Sequence, residues 1–140
     1  MVKLVEYNYD EKNGWARCLV SYNGMSFEGG AACHPEDMEF ANERVGLTIA
    51  EARANIKVLR FIRDHEVKLE LNALKHLYSN IQTSKNHNPK SHESRRIRSQ
   101  IRALERELTE VNNMIADEKA FIRNYIDGKD KLYKRLRAKN

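Results

Sequence analysis

Two cysteines in 140 residues, Cys18 and Cys33, are too few for a disulfide scaffold, and they lack the CxxC spacing of a zinc or redox site. They are expected as reduced, buried thiols. No stretch of about 18 apolar residues occurs, so no helix is expected to cross a membrane. The opening MVKLVEYNYD has neither the apolar core nor the cleavage site of a secretory signal, so a cytoplasmic location is expected. Proline is scarce, at positions 35 and 89 only, so long helices can run uninterrupted. Absent too is any catalytic constellation: the histidines at 65, 76, 87 and 92 form no HExxH and no i, i+4 pair. The expectation is a protein that is not an enzyme and carries no cofactor or metal.

Charge, by contrast, is abundant and unevenly divided. Asp, Glu, Lys and Arg make up 32% of the chain, the composition of long solvated helices. Residues 1–46 hold four Lys/Arg against eight Asp/Glu, whereas residues 47–140 hold 21 against 12. An acidic N-terminal part is therefore followed by a basic one.

The patterning changes at the same place. Asn13-Gly14 and Asn23-Gly24 supply the positive φ angles of tight turns, and strand-like residues flank both. Strands are expected at about 2–9, 15–22 and 25–33, with the middle one central in a meander. Gly29-Gly30 marks a bulge or a close backbone approach. Pro35 then opens a short irregular or helical piece that Gly46 closes, and Thr48-Ile49-Ala50-Glu51 reads as a capping box. The helix starting there has two apolar stripes, Ile49, Ala52, Ile56, Leu59, Val67, Leu71, Leu74, Tyr78 and Ile81 beside Val58, Ile62, Leu69, Ala73 and Leu77. Such a face is wider than one partner helix covers. After a polar loop over 83–90, capped by Ser91 or Ser94, comes a heptad seam of Ile97, Ile101, Leu104, Leu108, Val111, Ile115, Glu118, Ile122 and Tyr125. Asp127-Gly128 is expected to break or kink this second helix.

The expected fold class is thus α+β: an N-terminal three-stranded antiparallel β-meander followed by a long antiparallel, coiled-coil-like helical hairpin. Residues 1–46 form the meander and turn, 47–126 the hairpin (helices about 48–83 and 91–126), and 127–140 a basic helical tail. Spare apolar surface, widened by Met114, Phe121 and Ile126, implies a homo-oligomer, a dimer or higher.

Candidate sites follow the charge. Lys85, Lys90, Arg95, Arg96, Arg98, Arg102 and Arg106 cluster near the hairpin tip, and six Lys/Arg, Lys131 and Arg135 among them, crowd the tail. Arg95, Arg98, Arg102 and Arg106 are three and four apart and share one face. An arginine row of this kind can grip phosphates bidentately. It can equally pair with acids on the partner helix, Glu66 and Glu70 being candidates, as residues flanking a seam do. Trp15 is grouped with Tyr7, Tyr9, Tyr22 and Phe27 as one aromatic sheet face, which is core or, alternatively, a stacking platform. Cys33-His34 cannot act as a nucleophile–base pair while strand neighbours face opposite sides, so a buried thiol and a turn-stabilising His-Pro-Glu-Asp are expected.

The stretch Cys33-His34-Pro35-Glu36-Asp37, Phe40, Gly46, Ile49-Ala50 and Ala52-Arg53-Ala54 resembles a segment of small accessory proteins from phages and prophages of Gram-positive bacteria. The resemblance implies a phage origin and a bacterial host cytoplasm. In that setting the expected function is a self-associating anti-defence binding protein that blocks a host protein or sequesters a phosphorylated nucleotide signal. The alternatives are a basic coiled-coil nucleic-acid binder and a structural or assembly protein.

Overall fold

A computed structural model describes residues 2–84 and 86–139 of the chain; Lys85, part of the basic cluster at the hairpin tip, lies outside them. Three strands, β1 (Val2–Asp10), β2 (Trp15–Tyr22) and β3 (Met25–Ala32), form an antiparallel sheet in sequence order. A 3₁₀ helix at Pro35–Phe40 leads to helix α1 (Glu43–Phe61), a π-helical turn at Ile62–Val67, and helix α2 (Lys68–Gln82). Helix α3 (His92–Ala138) completes the chain. The α+β class and the meander stand as the sequence implies. Two compact units result, one of Met1–Leu59 with Ile115–Asn140, the other of Arg60–Met114.

The β2–β3 turn has the backbone its Asn-Gly pair implies, with φ of 52° at Asn23 and 78° at Gly24. The β1–β2 connection is different. There the Asp10 carboxylate accepts from the backbone N–H groups of Lys12 and Asn13 and from the Asn13 amide, holding a four-residue loop in which only Gly14 has positive φ. Of the two alternatives for Gly29-Gly30, the close backbone approach holds, at Gly29, while the sheet's register shift lies in β1 between Leu4 and Glu6.

Alternation fixes what each sheet face does. Ala16, Cys18 and Val20 of β2 are buried, and Tyr9, Tyr7 and Leu4 stand opposite them on β1. On β3 the same face carries Ala31, Gly29 and Phe27. Small residues here let α1 sit directly on the sheet: a Cβ on Gly29 would lie 2.0 Å from the carbonyl oxygen of Ala50 and 2.4 Å from the nitrogen of Ala54. Gly46, Ala50 and Ala54 share one face of α1 at i, i+4, i+8, and a Cβ on Gly46 would meet Ala16 at 2.9 Å. Gly46 therefore belongs inside the helix and does not close the preceding piece. The helix starts earlier than the expected 48, because Asn42 caps it, its side-chain oxygen accepting from Arg44 at 2.8 Å and Val45 at 3.3 Å. Thr48 forms no capping box; its hydroxyl donates back to the Arg44 carbonyl.

In the second unit, Leu71 of α2 packs with Ile97, Ile101 and Leu104 of α3, flanked by Leu74, Tyr78, Ile81 and Leu108, an antiparallel pairing along the expected seam. Ser91 caps α3 through its hydroxyl, which accepts from Ser94. The second stripe on α2 stays wet, Leu69 and Leu77 being 66% and 46% exposed. The π turn, where Phe61 and His65 rings stack at 4.9 Å, carries neither proline nor glycine and so had no breaker to announce it.

Helix α3 does not end at residue 126 and is not broken at Asp127-Gly128; it continues to Ala138. A Cβ on Gly128 would meet nothing within 4 Å. Gly128→Ala is therefore expected to raise stability by about 0.5–1 kcal/mol, the helical penalty of glycine, as a shift in urea midpoint at constant m-value. What holds the last turns is packing. Phe40 stacks on Tyr133 with ring centroids 5.1 Å apart, and Asp37 pairs with Arg137.

Glu118 interrupts the apolar seam within the first unit, and its placement has a pH consequence. Burial, then the charge of Glu51, pushes its carboxyl up, while Glu51 accepts from the Tyr7 hydroxyl at 3.1 Å. A carboxyl raised on folding favours the folded state when protonated, so this contribution grows as pH falls through the raised value and is lost above it. Glu118→Gln is expected to melt higher than wild type near neutral pH, with the difference closing in acid. Parallel melts across the acid range check this.

Candidate functional site

The first unit carries a half-open cavity of about 430 Å³, within the ~300–1,000 Å³ range of small-molecule sites. Three structural devices form it. The chain leaving β3 is held by the Cys33 N–H donating to the Gly14 carbonyl at 2.9 Å. Next, His34 caps the 3₁₀ helix, its Nδ1 accepting from the Glu36 N–H at 3.2 Å, which turns Glu36 and Asp37 toward the site. Finally α3 supplies Ile126, Lys129, Asp130, Tyr133, Lys134 and Arg137, one helical face at three- and four-residue spacing.

The walls divide by chemistry. Val45, Ile49 and Ile126 are aliphatic, and Tyr9 and Tyr133 add two phenols. Burial, and next the neighbouring Cys33, pushes both phenols up, so each remains an O–H donor. Arg53 enters from α1, one guanidinium N–H donating to the Gly30 carbonyl at 2.8 Å. Arg137 is engaged by Asp37. Lys129 lies over the Tyr125 ring, 5.5 Å from its centroid. Lys134 and Asp130 are four residues apart on the helix yet form no ion pair among the described residues. Arg53, Lys129 and Lys134 thus face a cavity in which Glu36 and Asp130 are the carboxylates left over.

Cys33 and His34 are neighbours at the cavity wall but are occupied otherwise. Burial, then the charge of Asp37, pushes the Cys33 thiol up, so it is protonated and weakly nucleophilic. The His34 ring is spent on its cap. Among the described residues no group of three His, Cys, Asp or Glu could hold a metal ion.

The residues singled out from sequence are distributed differently than expected. Lys131 and Arg135 are exposed and line no part of the cavity. With about 100° per residue, they project from the side of α3 opposite Ile126, Tyr133 and Arg137. Lys129, Lys134 and Arg137 take their place, joined by Arg53. Trp15 does not share a face with Tyr7, Tyr9, Tyr22 and Phe27. It pairs with Ala32 on the other side of the sheet, over Gly30, where it is 38% exposed. Of the arginine row, Arg98 and Arg102 come together with Lys75 in a groove of the second unit, and Arg95 and Arg106 lie outside it.

Among the described residues, no helix is long and apolar enough to cross a membrane. No protein-family model matches the chain, and neither curated proteins nor solved structures give a significant match.

Proposed function

We propose that this chain is a non-enzymatic binding protein that sequesters a small phosphorylated nucleotide in the cavity of its sheet-bearing unit. The observation that carries the reading is the mixed lining: beside the Arg137–Asp37 pair, three basic side chains, two carboxylates and two phenols surround one aliphatic-walled space. Guanidinium and ammonium groups hold phosphate oxygens. Carboxylates accept from ribose hydroxyls and exocyclic amines, while aliphatic and aromatic walls cover a base. A cavity of about 430 Å³ matches a mononucleotide in size. Given the phage resemblance, capture removes a host signalling nucleotide, an anti-defence role in the bacterial cytoplasm.

Titration calorimetry with nucleoside 5′-diphosphates and the matching nucleosides tests the reading. A charge-assisted hydrogen bond contributes about 1.5–3 kcal/mol, so two of them favour the phosphorylated form by about 100-fold or more. Equal affinity for nucleoside and nucleotide would show that the cavity does not read phosphate.

Self-association belongs to the same proposal. Leu69, Ala73 and Leu77 form an exposed apolar stripe on α2 that a second copy can cover. Light scattering is expected to give more than the 16.4 kDa monomer mass for wild type, and the monomer mass for Leu69→Glu with Leu77→Glu.

A further inference from the structure

The second unit carries a separate concentration of positive charge that the cavity reading leaves unused. Lys75 of α2 and Arg98 and Arg102 of α3 line one groove of about 340 Å³, with Tyr78 and Ile101 alongside and Glu105 as its carboxylate. Their meeting follows from the seam. Lys75 is next to Leu74, Arg98 next to Ile97, and Arg102 next to Ile101. Packing those apolar residues brings the three cations out on one shoulder of the helix pair.

The charge there is not neutralised from within. Among the described residues neither Lys75 nor Arg102 takes part in an ion pair, and Glu105 pairs with neither. Arg98 donates one N–H to the Pro89 carbonyl at 2.5 Å, which fixes its guanidinium while leaving other N–H groups available. Three cations against one carboxylate leave the groove net positive, and an anion relieves that charge. Beside them stands a ring system. Tyr78 meets His87 edge-on at 6.2 Å, and the His87 Nδ1 is buried without a hydrogen-bond partner among the described residues.

We infer that this groove is a second site, for the phosphodiester backbone of a single-stranded nucleic acid. Arg98 and Arg102, one helical turn apart, take adjacent phosphates, Lys75 adds a contact from the facing helix, and Tyr78 offers its ring to a base. The groove is more open than the cavity of the first unit, a form that suits a strand passing through. This site rests on its own residues and does not depend on the cavity reading.

Binding of a short fluorescein-labelled oligothymidylate, followed by anisotropy across a salt series, tests it on the full chain. Wild type is expected to bind at low salt with a slope of log K against log salt of about −2, three contacts at about −0.7 each. Arg98→Ala with Arg102→Ala is expected to weaken binding at least about tenfold and to reduce the slope by about 1.4. The decisive comparison is Arg95→Ala with Arg106→Ala, which removes equal charge from the same helix outside the groove and is expected to change affinity less than about threefold. Should the first pair unfold the protein, Lys75→Ala on the other helix carries the test, with a slope change of about 0.7. Equal weakening by both arginine pairs would make the attraction diffuse helix charge and overturn the site. Failure of wild type to bind at low salt would overturn it as well.

Discussion

Gly29→Ala is expected to destabilise the protein by about 3 kcal/mol or more, and Gly29→Val to abolish the fold. The added Cβ would stand 2.0 Å from the Ala50 carbonyl oxygen and 2.4 Å from the Ala54 nitrogen, both helix backbone. A side chain can rotate away from such a clash, but backbone in mid-helix cannot without breaking its own hydrogen bonds. Helix α1 would have to lift from the sheet, opening space over Ala16, Cys18 and Ala31, which are buried against it now. That combines overpacking with the loss of close contacts elsewhere. The adjacent glycine supplies the control. Gly30 points to the other face, where a Cβ would find Trp15 at 3.9 Å in ordinary contact. Gly30→Ala is expected to change stability by less than about 1 kcal/mol. Urea denaturation of the two variants compares a single methyl on opposite sides of one strand. Similar losses from both would mean that α1 is not seated on Gly29.

The second large effect concerns ligand affinity. Arg53→Glu is expected to weaken binding of a nucleoside 5′-diphosphate by about 100-fold or more, with little change in the melt. The side chain is exposed, so its loss removes little packing, but its guanidinium is fixed at the cavity wall by the Gly30 carbonyl. Reversal of the charge replaces attraction by repulsion at that point. Arg53→Lys separates charge from shape: an ammonium keeps the sign but not the planar fork, and about a tenfold loss is expected. Calorimetric titration of the three proteins with one ligand gives the order Arg, Lys, Glu. An unchanged affinity in Arg53→Glu would remove this residue from the site.

Much of the fold was legible because the local signals agreed with one another. Asn23-Gly24 between strand-like runs, period-two alternation in β2, and the heptad seam from Ile97 to Ile122 each left a single reading, and the elements lie where those readings put them. What misled was punctuation by glycine. Gly46 and Gly128 both read as stops, yet one sits inside α1 because Ala16 presses on it, and the other inside α3 because Phe40 and Asp37 hold the turns beyond it. Those holding contacts are long-range, and sequence pattern does not carry them.

The same error displaced the candidate site. With a break placed at Gly128, the helical phase of the tail is lost, and Lys131 and Arg135 rank equally with Lys129, Lys134 and Arg137. A continuous helix restores the phase from Ile126 onward and turns the latter three to the cavity. Arg53 stood within the stretch resembling phage accessory proteins, but only the close seating of α1 on Gly29 brings it to the wall, where it reaches the Gly30 carbonyl. Trp15 was misplaced by arithmetic of another kind: it is an odd number of residues from Tyr22, so the two face opposite ways in one strand.

Retention without turnover is the claim on which the account rests. Incubating the protein with a mixture of phosphorylated nucleotides, separating bound from free by gel filtration, and releasing the bound fraction by heat tests it directly. The account predicts that a nucleotide elutes with the protein at about one per cavity and is recovered chemically unchanged. Recovery of a hydrolysed or rearranged product, or co-elution of no nucleotide at all, would contradict it.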